Sequence, residues 1–206
     1  SLIIWSFETN EMAMFDTASS IWRPLAGPIE DAVSGKLHAE DGRVLAVAAT
    51  MRGSGFGSAA TLVVAELEQE AGWRQFPERS FDTGEVGYSA VANHSAMLGG
   101  VLVVWGESGE SSGPAFALDV SGVWQELPPP PLPETLLALS PIVMGEDSLL
   151  ATSDGGPAAL LNLAQGEWEM IVEVDVPVLP GSSVNLQGTL FVYDGDGTMW
   201  TWPAER

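Results

Sequence analysis

A tryptophan returns along this chain at Trp22, Trp73, Trp124 and Trp168, at intervals of 51, 51 and 44 residues by subtraction. Each follows an acidic or amide residue (Asp16, Glu66, Asp119, Asn162) by about six positions. Ahead of each pair stands an apolar burst, as in MAMFDTASSIW, LVVAELEQEAGW, AFALDVSGVW and AALLNLAQGEW. Self-similarity at roughly 40–50 residues is the mark of an array of small β units, each too small to bury its own apolar face. That period constrains the fold more than any other feature.

The first half of each unit repeats too. His94–Gly106 (HSAMLGGVLVVWG) resembles Ser183–Gly195 (SVNLQGTLFVYDG), with looser copies at Leu37–Ala49 and Ser140–Thr152. Each reads as a short strand, a tight Gly/Asp turn and a strongly apolar second strand. A third strand ends at the Asp/Asn position and a fourth begins at the Trp. Proline-rich stretches, RPLAGPIED (Arg23–Asp31), ELPPPPLPE (Glu126–Glu134) and VDVPVLPG (Val174–Gly181), separate the units. Proline donates nothing to a β ladder, so these stretches read as connectors. No segment sustains a 3.6-residue period, although Leu132–Leu139 has room for one helical turn.

The segments WRPL (Trp22–Leu25), WQELPPPPLP (Trp124–Pro133) and LGGVLVVWG (Leu98–Gly106) resemble the kelch repeat in its divergent bacterial form, and the likeness covers nearly the whole chain. It departs from that family at the diglycine after the second strand and at the tyrosine before the third-strand turn, where Phe15, Ala65, Leu118 and Leu161 stand. The resemblance implies an all-β fold, a β-propeller of four-stranded antiparallel blades. The blades are expected near 1–31 (partial), 35–80, 88–133, 138–177 and 181–206 (partial). Three complete and two partial blades leave two readings, a closed ring or part of a six- or seven-bladed one. In the second, the missing blades come from the rest of the chain or another subunit.

Charge then narrows the partners. Twenty-eight acidic residues face seven basic ones, for a net charge of −21. Nucleic acid and anionic membrane surfaces both require Lys and Arg, and this chain has one Lys and six Arg. No apolar run approaches the roughly 20 residues that span a bilayer, so membrane insertion is not expected. There is no cysteine, which removes disulfides, thiolate metal sites and the Tyr–Cys crosslink of kelch-type copper oxidases. Acidity and the family likeness together suggest an extracellular or cell-surface setting.

Motifs that carry chemistry are sparse. Gly109–Gly113 fits G-x-S-x-G, but no helix follows to form a nucleophile elbow. Asp194–Thr198 begins like a calcium loop, yet Met199 stands where position six demands glycine. Pro128–Pro131 has no flanking cation to orient it as a polyproline ligand. Neither a catalytic group, a metal site nor a cofactor is expected.

The binding candidates are Arg52, His94, Trp105 and Glu107. In the propeller reading His94 starts the strand nearest the central channel, Trp105 ends a second strand near one mouth, and Arg52 and Glu107 lie in adjoining loops. Trp5 and Trp105 are expected to be exposed, and the repeat tryptophans to pack between blades. Three functions stay open: a non-enzymatic scaffold offering loops to a protein or glycan, a glycan-active hydrolase or lyase using channel-mouth carboxylates, and an assembly component.

Overall fold

The computed structural model describes residues 2–52, 59–68, 72–81, 94–108, 111–131, 142–143, 147–151, 158–171, 183–186, 189–193 and 199–203. Every regular element among them is a β-strand, and every strand pairing is antiparallel. The chain divides into two compact units, Ser1–Ala92 and Asn93–Arg206.

The first unit holds two sheets. The first sheet has order β1-β2-β3, from Leu2–Ser6, Glu11–Asp16 and Ile21–Leu25. The second has order β4-β5-β6-β7, from Ala32–Glu40, Arg43–Arg52, Ala59–Glu68 and Gly72–Gln75. A short β8 (Arg79–Phe81) also pairs with β6. Asp41 and Gly42, at φ 49° and 80°, make the two-residue turn between β4 and β5. Both residues being left-handed matches the right-handed twist of the strands they join. Alternation along the strands sends Ala46, Ala48, Val63 and Ala65 to one face, where they form a cluster with Ile29, Trp5, Leu37 and Trp73. Two apolar sheet faces therefore meet in this unit.

The second unit repeats the plan. Its sheets are β9-β10-β11-β12 (Ser95–Leu98, Val101–Ser108, Ser111–Leu118, Trp124–Leu127), β13-β14-β15-β16 (Ile142–Val143, Ser148–Ala151, Ala158–Asn162, Glu167–Ile171) and β17-β18-β19 (Ser183–Leu186, Thr189–Tyr193, Met199–Pro203). Gly99 and Gly100 turn β9 into β10 with positive φ, as Asp41 and Gly42 do in the first unit. Ala96, Val103, Trp105, Ala115 and Ala117 of one sheet form a single cluster with Leu149, Ala151, Ala159 and Leu161 of the next.

The repeated acidic or amide residue closes the turn ahead of the Trp strand. The Oδ1 of Asp16 accepts from the Ala18 amide at 2.9 Å, that of Asp119 from Ser121 and Val123 at 2.8 and 2.9 Å, and that of Asn162 from Gln165 at 3.1 Å. The Ser19 hydroxyl donates to Asp16 and the Ser121 hydroxyl to Asp119, each at 2.7 Å, and these bonds first, with the amide bonds second, hold both carboxyls below the ordinary range. Glu66 departs from this pattern. Its longer side chain reaches Arg43 Nε at 2.7 Å and Arg74 Nη2 at 2.5 Å.

The repeat tryptophans divide in their burial. Trp73 and Trp168 are half-buried against the apolar clusters, and each donates its indole N–H to a connector carbonyl at 2.9 Å, Ala26 for Trp73 and Pro128 for Trp168. Ala26 lies four residues after Trp22, and Pro128 four residues after Trp124. The same hydrogen bond thus recurs in the same register of the repeat. Trp22 departs from the expected packing and is 48% exposed.

Leu132–Leu139 and Asp194–Thr198 lie outside the described residues. Ser111–Gly113 of the G-x-S-x-G match lie in extended β11, with Ser111 opposite Ser108.

Candidate functional site

Of the four candidates from sequence, the structure places His94 and Trp105 together. His94 precedes β9 directly and accepts a hydrogen bond from the Trp105 amide at 3.1 Å. Its ring stacks on the Trp105 indole with centroids 5.6 Å apart and planes 10° apart. Trp105 in turn meets the Trp168 ring edge-on at 5.8 Å. Glu107 lies two residues further along β10, past a bulge, opposite Ser112. Arg52 ends β5 in the first unit, opposite Ala59.

The expected exposure of Trp105 is corrected. Its side chain is 1% exposed and His94 is 4% exposed. Trp105 sits in an inner strand of a four-stranded sheet, on the face shared by Val103 and Val101, and that face packs on Leu149 and Leu161. Both faces of this part of β10 are covered, since Leu102, Val103, Val104 and Trp105 are each at most 1% exposed, so either register would bury a side chain here. Trp5 is corrected likewise. It is half-buried in the first unit's cluster, and its indole N–H points to Asn10 Oδ1 at 3.3 Å.

A second site appears that the sequence motifs did not mark. In the first unit the connector Ala26–Asp31, Thr50 of β5, Val63 of β6, and Trp73 and Gln75 of β7 line a cleft of about 610 Å³. Asn10 holds the connector in place. It takes a left-handed backbone at φ 53°, and its Oδ1 also accepts from the Ile29 amide at 3.3 Å. Gly27 lets the connector lie this close, because a Cβ there would stand 2.0 Å from the Asn10 carbonyl oxygen. The Trp73–Ala26 hydrogen bond holds the indole against the same connector.

The chemistry of the lining is one-sided. Glu30, Asp31 and Glu78 contribute three carboxylates, Thr50 and Gln75 add neutral polar groups, and among the described residues no Lys or Arg lines the cleft. Such a surface repels polyanions and suits neutral hydroxylated or cationic groups, with an aromatic ring for stacking. The sequence held a signal for it in the acidic end of the connector, GPIED, which reads first as a crossing between units.

Lys36 and His38 share one face of edge strand β4, opposite Val47 and Leu45. Burial, aided by the charge of Lys36, pushes the His38 imidazole down to about 3, and burial also lowers Lys36. His38 is therefore neutral at physiological pH. Among the described residues no three His, Asp or Glu side chains gather in a way that could hold a metal ion. No described helix is long and apolar enough to cross a membrane.

No protein-family model matches the chain, and no curated protein sequence matches it.

Proposed function

We propose that the chain is a kelch-like β-propeller, or an arc of one, that works as a non-enzymatic scaffold binding a protein or glycan partner. Two features support the architecture: consecutive antiparallel sheets, and a tryptophan–carbonyl hydrogen bond that recurs in register between neighbouring sheets. The observation that carries the function is the cleft beside Trp73, where a fixed indole stands among three carboxylates and two neutral polar side chains. Recognition needs an apolar surface for contact and a few placed polar groups for orientation, and this cleft supplies both. The acidic lining selects glycans without charge, or peptides that carry Lys or Arg.

Titration calorimetry with neutral oligosaccharides and with a Lys/Arg-bearing peptide tests this reading. Binding of either class, weakened about tenfold by Glu30→Gln with Asp31→Asn, is expected, since a tenfold change needs only about 1.4 kcal/mol. No binding of either class would overturn the assignment of this cleft.

The three carboxylates also favour a second reading, a glycan-active hydrolase in which two of them act as acid and base. Release of reducing ends from an oligosaccharide, abolished by Glu30→Gln or Glu78→Gln, would establish that reading in place of the first.

A further inference from the structure

The bond between Trp73 and Ala26 has a counterpart in the second unit, and the two junctions share a framework but not a lining. Ala26 and Pro128 each stand four residues after a repeat tryptophan, and each carbonyl accepts the indole N–H of the next one, Trp73 or Trp168. Cross-strand register extends the match. Trp73 lies opposite Leu67 and Gln75 opposite Ala65, while Trp168 lies opposite Leu161 and Met170 opposite Ala159. The equivalent positions then differ in chemistry. Where the first unit has Glu30, Asp31 and Gln75, the second has Leu132, Pro133 and Met170, and only Glu78 has an acidic counterpart, Glu173. A connector that crosses between sheets and holds a tryptophan therefore does not need Glu30 and Asp31. Those two carboxylates are added to the framework at one junction.

We propose that the cleft beside Trp73 takes a Lys or Arg side chain of a protein partner, an inference that rests on the cleft being a binding site and narrows its ligand to one class. Carboxylates only accept hydrogen bonds, and a charged donor satisfies them best. Neither Glu30 nor Asp31 forms an ion pair with a described residue, so both are open to a cation from outside. A cation also relieves the repulsion among three like charges gathered around one cleft. The Trp73 N–H is committed to Ala26, so the indole offers a ligand its π surface rather than a donor. A π surface attracts a cation, and the apolar stem of a Lys or Arg packs on it as well. Thr50 and Gln75 supply neutral hydrogen-bonding groups for the adjoining peptide backbone. The cleft of about 610 Å³ suits a long side chain with the backbone that carries it. The net charge of −21 steers such a partner toward the chain.

Titration calorimetry on the intact chain tests this with three short peptides identical but for one position, which holds Lys, Arg or Nε-acetyl-lysine, and with a neutral oligosaccharide. The expected result is binding of the Lys or the Arg peptide, weaker at high salt, and weaker by about tenfold or more when the lysine is acetylated. Glu30→Gln with Asp31→Asn should weaken it about tenfold. Glu167→Gln with Glu169→Gln removes the same charge from exposed positions of β16 and should change it by less than about twofold. All four carboxylates are exposed, so neither double variant makes a demand on folding, and circular dichroism should show the β signal intact. Equal weakening by both double variants overturns the proposal, because it assigns binding to the overall charge. Binding of the acetylated peptide as tightly as the lysine one overturns it too. Binding of the oligosaccharide alone, lost in Glu30→Gln with Asp31→Asn, overturns the proposal and leaves the cleft a binding site. Binding of none of the probes removes both.

Discussion

The indole nitrogen of Trp73 donates to the carbonyl oxygen of Ala26 across 2.9 Å, although 47 positions separate the two residues. The bond does two things. It joins the second sheet to the connector leaving the first, and it fixes the aromatic wall of the cleft. Trp73→Phe keeps most of the apolar contact and removes only the N–H, leaving the Ala26 carbonyl to water. Loss of about 1 kcal/mol is expected from a single neutral hydrogen bond. Trp168→Phe should cost a similar amount, because Trp168 makes the same bond to Pro128. Urea denaturation of the two variants checks both values. A cost near zero for each would mean the recurring bond is incidental to the packing.

Glu66 ties Arg43 and Arg74 together, and the two bonds differ in environment. Glu66 and Arg43 side chains are 13% and 19% exposed, while Arg74 is 45% exposed and also meets Glu68 at 3.1 Å. Water screens the Arg74 contact far more than the Arg43 one. Glu66→Gln should therefore cost about 2 kcal/mol, chiefly by removing the carboxylate charge from the half-buried bond to Arg43 Nε. Arg74→Ala should cost well under about 1 kcal/mol. Denaturation of both variants at low and high salt separates the contributions, and only the Arg74 effect should fade as salt rises.

How much of this was legible in the sequence follows from which signals are local. Strand alternation and the Asp41-Gly42 and Gly99-Gly100 turns depend on neighbours in sequence, so the hairpins they close could be read directly. The spacing of Asp16, Asp119 and Asn162 marked their repeat, although the turn-closing role of each needs the backbone geometry. Trp105 was misjudged because β10 is an inner strand buried on both faces, with Leu102, Val103 and Val104 at 0% exposure beside it, and that cover comes from segments distant in sequence. Trp22 was misjudged for the converse reason. Its repeat position is the same as that of Trp73, but burial at that position depends on the sheet that packs against it, which the residues around Trp22 do not specify. The cleft was unread because it needs Asn10, Gly27 and Trp73 in one place, from three separate segments.

Trp105 now belongs to the core, and a substitution distinguishes that role from ligand contact. Trp105→Ala removes a fully buried indole from between Val103 and Leu149 and takes away the ring on which His94 stacks. A cost of about 3–5 kcal/mol is expected for such a cavity. The measurement is a shift of the urea midpoint with unchanged slope. A near-neutral result would return Trp105 to the list of surface candidates.

Acid should destabilise the fold before its carboxylates begin to protonate. The folded His38 titrates at about 3, against 6.5 for the ordinary imidazole. Between those values the unfolded chain binds a proton at this site that the folded chain does not. Stability therefore rises with pH through that window and is lost as pH falls from about 6.5, at no more than about 1.4 kcal/mol per pH unit for one group. Asp16, Asp119 and Glu66 act in the same direction, because their folded values are also lowered, but their losses begin only near the ordinary carboxylate range. His38→Gln separates the two windows. The variant should show a flat stability between pH 6.5 and 5, where the parent already declines, and both should fall together below pH 4. Lys36 supports the effect from the same face of β4, so Lys36→Met should lift the His38 value and shorten the slope from its acid end. Denaturation curves at half-unit pH steps read all three chains. An identical decline in parent and His38→Gln would assign the upper window to groups other than His38.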